Sequence, residues 1–209
     1  MSAISLYARA TAGYEARVAA TLEILREAAA AHPGTVVLAT SLGAEDQVLT
    51  DLIVRHRLPI AIGTLETGAL HEQTAALIGR TEAHYAGIAD GGLKIEVYRP
   101  QAEAVVEFVR KNGERAMYQS IDLRKACCGI RKLEPLARML AGRTAWVTGL
   151  RREQSDARGV VAAIGTDDQG RVKVNALVDW TWADVWHYIA TNDVPYNPLH
   201  DEFMPSIGC

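Results

Sequence analysis

Cysteine is scarce in this chain: 209 residues hold three, Cys127, Cys128 and Cys209. So sparse and odd a set builds no disulfide framework and suits a reducing compartment. Long apolar runs are missing as well. None approaches the roughly 20 residues that span a bilayer. The start, Met1 to Ala10, has no basic segment leading into an apolar core, so neither a membrane helix nor a signal peptide is expected. Charge of one sign is not in excess. Lys and Arg total 22 against 25 Asp and Glu, a net charge of −3, which confines any basic role to a local cluster and argues against a nucleic-acid-binding surface. Also absent are the Gly-x-x-x-x-Gly-Lys-Ser/Thr phosphate loop, the Gly-x-Gly-x-x-Gly dinucleotide turn and the Cys-x-x-Cys spacing of zinc sites. The six histidines, His32, His56, His71, His84, His187 and His200, have no zincin spacing, and His200, in the tail, is the best placed to approach a site. These absences argue against an ordinary NTPase or NAD dehydrogenase and leave a cytoplasmic, soluble protein.

What is present is material for one α/β domain. The apolar fraction is 49% and the charged fraction 22%, ordinary values for a globular chain long enough to bury a substantial core. Tyr14 to Ala31 is alanine-rich, with Val18, Leu22 and Leu25 at helical spacing, and Pro33-Gly34 stops it. Thr35 to Thr40 reads as a strand buried on both faces. Ser41-Leu42-Gly43 turns it into a helix reaching about Arg57, with Glu45 and Asp46 in the first turn, where the helix dipole favours acids. The alternation continues with a strand from Ile60 to Leu65, a helix to about Tyr85 and a strand from Lys94 to Tyr98. Helices follow over 102–109 and from near the cysteine pair to Leu140, then strands at 144–148 and 171–176 and a helix at 182–189. Leu150 to Gly170 reads as a long mobile loop, and the tail from Asp193 as extended chain. Trp182 and Trp186, four apart on one helical face, are expected in the core. Strands alternating with helices predict a doubly wound, mainly parallel sheet. Residues 1–192 would form the domain and 193–209 an extended C-terminal segment.

In open sheets of this kind, ligands gather at the carboxyl ends of strands. Three loops fall there. Ser41-Leu42-Gly43 offers a hydroxyl, a glycine and the N–H groups of a helix start, a set suited to phosphate or sulfate. Leu65-Glu66-Thr67-Gly68 offers a second hydroxyl and glycine, and Gly149-Leu150-Arg151-Arg152 offers guanidinium groups able to hold an oxyanion. Each loop by itself is better read as a plain turn; three converging on one sheet edge strengthen the reading as a site. Cys127-Cys128 stands in a basic frame of Arg124, Lys125, Arg131 and Lys132. Adjacent thiols make a strained disulfide that closes no useful loop, yet they can grip one soft multi-atom partner such as an iron–sulfur cluster. The plainer alternative is two small buried hydrophobes on a helix.

Five segments, in order along the chain, together resemble the assimilatory sulfonucleotide reductases. Ser41-Leu42-Gly43-Ala44-Glu45-Asp46 resembles their modified PP-loop, Ser-x-Gly-x-x-Asp, and Leu65-Glu66-Thr67-Gly68 is similar to their Leu-Asp-Thr-Gly loop, with Glu66 in place of the aspartate. Cys127-Cys128-Gly129-Ile130-Arg131-Lys132 looks like their Cys-Cys-x-x-Arg-Lys motif, and Thr148-Gly149-Leu150-Arg151-Arg152-Glu153-Gln154-Ser155 like their Thr-Gly-x-Arg-Arg-x-Gln-Ser loop. The segments from Val194 to His200 and from Pro205 to Cys209 match the approach to a second cysteine pair.

The resemblance implies an adenine-nucleotide α-hydrolase-like fold. It further implies thioredoxin-dependent reduction of adenosine 5′-phosphosulfate (APS) to sulfite and AMP in sulfate assimilation, through an S-sulfocysteine intermediate, in the branch that carries a 4Fe–4S cluster. Cys127, Cys128 and Cys209 would be three cluster ligands. Ser41, Gly43, Leu65, Thr67, Gly68, Lys132, Gly149, Arg151 and Gln154 would bind substrate. Thioredoxin or a glutaredoxin-like protein would be the reductant, in a homo-oligomeric enzyme. The family pattern continues past the position of Cys209 with the fourth ligand, further basic residues and the nucleophilic cysteine. The expectation is therefore a truncated chain, inactive by itself. The alternatives are reduction of the 3′-phosphorylated nucleotide (PAPS) and a non-catalytic nucleotide- or metal-binding module of the same fold.

Overall fold

The structure, a computed structural model, describes residues 1–88, 92–154 and 161–207. Its frame is a sheet of β1 (Val36–Thr40), β2 (Ala61–Leu65), β3 (Glu96–Tyr98), β4 (Ala145–Thr148), β5 (Ile164–Thr166) and β6 (Val172–Asn175), in the order β3-β2-β1-β4-β6-β5. All neighbours are parallel except β5 and β6, which form an antiparallel pair at one edge. Helices are α1 (Ala3–Tyr7), α2 (Tyr14–Ala31), α3 (Ala44–Arg55), α4 (Glu72–His84), α5 (Ala102–Asn112), α6 (Ile121–Cys128), α7 (Glu134–Met139) and α8 (Trp182–Asn192).

Strand β1 shows why both faces are covered. Side chains alternate across a strand; Val36 and Leu38 enter a large core with α2, α3 and α8, while Val37 enters a smaller one with Met139 and Leu140 of the α7 side. Helix α3 is the most deeply set. From Ala44 to Val54 every residue except Glu45 is buried, so the one side chain left partly open stands at the strand-end crevice. None of the described helices is long and apolar enough to cross a membrane.

Four local expectations need correction. Helix α1 was not foreseen; five residues are too few to show a period, and Ser2 caps it by accepting from Ser5 N–H. Helix α6 starts at Ile121, ahead of the cysteine pair, because Ser120 accepts from Leu123 N–H. The segment read as a mobile loop from Leu150 to Gly170 contains β5, paired with β6 across a turn in which Asp167 Oδ1 accepts from Gln169 and Arg171 N–H. Residues 155–160 of that loop, and the Asp90-Gly91 part of the turn read at 90–92, lie outside the described residues. The tail is not simply extended: a 3-10 turn spans Pro198–Glu202, started by Asn197 Oδ1 accepting from Leu199 N–H.

Candidate functional site

The chain leaves β1 toward β2 and β3 but leaves β4 toward β6, on the opposite side. The crevice between the carboxyl ends of β1 and β4 is thus the switch point of the sheet. At its floor Leu42 adopts φ 62, the left-handed region, with its side chain buried. A leucine holds that conformation at a cost of about 1–3 kcal/mol. Burial and the bond from Leu42 N–H to Thr40 Oγ1 (2.9 Å) hold it there. The turn delivers Gly43 as the cap of α3 without a side chain over the helix start, leaving its N–H groups accessible to an anion.

Asp46 ties the two strand ends together. Its Oδ2 accepts from Ser41 N–H and Ser41 Oγ–H, each at 2.6 Å, and its Oδ1 accepts from Gly149 N–H at 3.1 Å. Burial pushes the carboxyl up to about 6, against the lowering effect of the Ser41 bonds. The approach leaves no room at Gly149: a Cβ there would fall 2.3 Å from Asp46 Oδ1 and 2.9 Å from Glu45 Cβ.

Arg151 is buried and densely partnered. Its Nε donates to Glu45 Oε1 (2.9 Å), its Nη1 to Glu153 Oε2 (2.6 Å), and its guanidinium lies 5.2 Å from the centre of the Trp182 ring. Gln154 bridges the same groups, donating to Glu45 Oε1 (3.0 Å) and accepting from Arg151 N–H (3.2 Å). Glu45, partly open at the head of α3, thus balances the arginine expected to hold an anion.

Two chambers with shared wall residues result. A cavity of about 250 Å³ is lined by Ser41, Leu65, Thr67 and Lys132, with Leu136, Met139 and Trp146 forming its apolar end. A larger, more polar chamber of about 580 Å³, sharing Ser41 and Ile207, is lined by Gly43, Glu45, Arg151, Gln154 and His200. Apolar walls on one side and a cation, hydroxyls and a helix start on the other suit a flat base joined to an anionic group. His200 packs edge-on to Trp182 and Trp186, and its Nδ1 lies 2.8 Å from Met204 O; burial lowers its pKa.

Cys127 is buried and Cys128 half-buried, both free, at the end of α6. A π turn, Gly129–Leu133, follows and carries Arg131 and Lys132. Two adjacent soft donors fit part of an iron–sulfur ligand set. Among the described residues no group of three His, Cys, Asp or Glu converges as a metal site, and Cys209 lies outside them.

The model of the phosphoadenosine phosphosulfate reductase domain family matches residues 35–209. The chain belongs to that family. Among its relatives, the adenosine 5′-phosphosulfate reductase of Allochromatium vinosum is 48% identical over 194 residues, covering 92% of this chain and 73% of that protein. The Burkholderia cepacia enzyme of the same name is 48% identical over 175 residues, covering 83% and 68%. A crystal structure of phosphoadenylyl-sulfate reductase from Candida auris, in complex with phosphate, superposes with a TM-score of 0.72 at 26% identity, over 96% of this chain and 97% of that one. Candida glabrata FMN adenylyltransferase shares the fold, with a TM-score of 0.63 at 15% identity over 99% of this chain and 68% of that one. The architecture is adenine-nucleotide α-hydrolase-like, as the sequence resemblance implied.

Of the residues that the reductase-family motifs pick out, Ser41, Leu65, Thr67 and Lys132 meet in the smaller cavity and Ser41, Gly43, Arg151 and Gln154 in the larger. Gly68 and Gly149 stand behind the walls, against Arg131 and Asp46. Ser155, Gly208 and Cys209 fall outside the described residues. Sequence reasoning missed Glu45 as the partner of Arg151, and Trp146, which donates from Nε1 to Asp167 Oδ2 (3.1 Å) behind the apolar wall. It assigned Trp182 to the core, whereas Trp186 alone of that pair is fully buried and Trp182 lines the larger chamber. Glu45 carried one usable signal, its place inside the PP-loop motif; Trp146, on a strand, carried none.

Proposed function

We propose that this chain is the nucleotide-binding unit of an adenosine 5′-phosphosulfate reductase. The observation that carries the reading is that Lys132, four residues after Cys128, lines the same cavity as Ser41 and Thr67 at the switch point. The adenine would occupy the apolar end by Leu136, Met139 and Trp146, and the phosphosulfate would reach the chamber of Gly43, Arg151 and Gln154. Ser41, Gly43, Leu65, Thr67, Gly68, Lys132, Gly149, Arg151 and Gln154 make up the substrate site. An anion there competes with Glu45 and Glu153 for Arg151, so the site exchanges a carboxylate pairing for a phosphosulfate one instead of exposing a bare guanidinium.

In the reaction a cysteine thiolate attacks the sulfur of APS, the bond from sulfur to the phosphate oxygen breaks, and AMP leaves with that electron pair. A dithiol protein of thioredoxin type then attacks the resulting S-sulfocysteine at the cysteine sulfur, releases sulfite and closes to its own disulfide. Lys132 and Arg151 offset the charge that develops on the leaving phosphate. Cys127, Cys128 and Cys209 are assigned to a 4Fe–4S cluster, which when bound supplies a structural and electrostatic anchor beside the substrate. This thiol chemistry suits the reducing cytoplasm. With all three thiols so assigned, the 209 residues bind nucleotide without turnover.

Calorimetric competition among AMP, APS and PAPS tests the reading: AMP and APS are expected to bind and PAPS to bind more weakly. Preference for PAPS would favour the second reading, supported by the likeness to the Candida auris enzyme. Sulfite release with a dithiol reductant would reassign one of the three cysteines as the nucleophile. Iron and acid-labile sulfide test the cluster in anaerobically purified protein extended far enough to supply the fourth ligand; their absence there together with nucleotide binding would favour a non-catalytic module.

A further inference from the structure

One helical rod carries both thiols and one wall of the smaller cavity. Helix α6 ends at Cys128, the π turn covers Gly129–Leu133, and α7 begins at Glu134 without a break. A π turn closes its hydrogen-bonded ring over five residues, so it shifts the phase of everything after it relative to a continuous α-helix; such turns cluster at functional sites. Here the turn holds two cations that go to different places. Lys132 lines the cavity, followed by Leu136 and Met139 on α7. Arg131 reaches across to the loop after β2, where its Nη1 donates to the carbonyl of Thr67 at 2.7 Å.

That carbonyl belongs to a demanding turn. Gly68 has φ +68, and a Cβ on it would stand 3.1 Å from Arg131 Nη1, so the guanidinium rests against the glycine face. Within the loop, Gly68 N–H donates to Glu66 Oε1 (2.8 Å) and Ala69 N–H to Thr67 Oγ1 (3.2 Å). Those bonds shape the turn; the Arg131 bond joins it to another element. Thr67 is buried and lines the cavity, so any rotation of its peptide moves a wall of the site.

We propose that Arg131 is a positioning residue. It holds the Thr67–Gly68 turn in the geometry that receives the nucleotide and ties that turn to the helix bearing Cys127 and Cys128. The nucleotide part of this inference rests on the function proposed above. The same Nη1 serves both tasks, donating to the Thr67 carbonyl while it stands against Gly68; a lysine ammonium can make the bond but lacks the planar fork that fixes its direction.

The test uses the full chain with Arg131→Ala, Arg131→Lys and Gly68→Ala, read by amide hydrogen exchange over residues 66–70 and by calorimetric titration with AMP. Losing one charge-assisted bond is worth about tenfold in either readout. Exchange at 66–70 is expected to rise about tenfold in Arg131→Ala and AMP affinity to fall about as much. Both recover in part in Arg131→Lys, and on adding guanidinium ion to Arg131→Ala at concentrations that do not denature the wild type. Gly68→Ala, which displaces the guanidinium, is expected to copy the loss without recovery. Unchanged exchange at 66–70 in Arg131→Ala overturns the proposal, as does faster exchange spread over the whole chain with no recovery by guanidinium. If the wild type binds no adenine nucleotide, the functional reading fails, while the exchange data still decide whether Arg131 holds the turn.

Discussion

Asp46 shows how much one side chain can organise at the head of α3. A carboxylate fits there because three donors, two from Ser41 and one from Gly149, converge on it. It is also buried, and burial outweighs those bonds in raising its pKa from 3.8 to about 6. The linkage has a definite sign. Between those values the folded protein holds a proton that the unfolded chain has released, so this group's contribution to stability falls as pH rises from about 4 to about 6 and is flat above. Asp46→Asn removes the titration. The stability difference between wild type and variant is expected to shift against the wild type by on the order of 2–3 kcal/mol from pH 4 to pH 7. Urea unfolding of both proteins at those pH values measures it, and a pH-independent difference would mean that the Ser41 bonds already hold the carboxyl ionised.

Helix α3 makes the strand-end crevice rigid by being almost wholly interior, and it needs a buried anchor to be so. Asp51, with no exposed side-chain surface, accepts from Tyr85 OH (2.8 Å), Tyr188 OH (2.7 Å) and Arg55 Nε (2.7 Å). Burial and the neighbouring Asp51 carboxylate push both tyrosine hydroxyls well above the usual phenol range, which keeps them as donors at any physiological pH. Asp51→Ala leaves three donors without this acceptor. The expected loss is about 3–5 kcal/mol, read as a lower urea midpoint with the slope of the transition unchanged. Asp51→Asn keeps one acceptor and is expected to lose less. Val48, Leu49, Leu52 and Ile53 mark one apolar stripe of α3 in the sequence, but no local pattern shows that Gln47 and Asp51 are buried as well; their partners come from Thr81 of α4, Tyr85 at its end, Tyr188 of α8 and Pro195 of the tail.

Across the whole molecule the two ends of the chain close on each other. Asp184, wholly buried in the first turn of α8, accepts from Thr11 N–H (2.9 Å) and Thr11 Oγ–H (3.0 Å), caps its own helix with Thr181, and pairs with Arg17 at 2.9 Å. Burial raises its carboxyl, and the bonds from Thr11 and Thr181 outweigh that, leaving its pKa below the usual value. Ala3 N–H reaches Asp201 Oδ1 at 2.7 Å in the same way. Asp184→Ala removes the side-chain half of the capping box and the tie to the N-terminal segment together, and about 2–4 kcal/mol of stability is expected to go with them. Exchange at residues 3–11 should rise ahead of the rest of the chain; uniform protection there would show that α1 is held by its apolar contacts instead. The tail is drawn in by similar means, with Gln47 Nε2 donating to Pro195 O (2.9 Å) and Asn197 Nδ2 to Thr74 Oγ1 (2.8 Å).

The sequence by itself determined the alternation of strands and helices, the three strand-end loops, the paired thiols in their basic frame and the reductase family to which they belong. Each of these is written within a few consecutive residues, as a period, a glycine or a motif. The tertiary structure decided the rest. Strand order placed Ser41 and Gly149 at one switch point, and the π turn sent Arg131 to Thr67 and Lys132 into the cavity. Packing gave Arg151 to Glu45, more than a hundred positions away. Pairings across such separations depend on how far each element is buried and rotated once all the others are in place, and no local pattern carries that information.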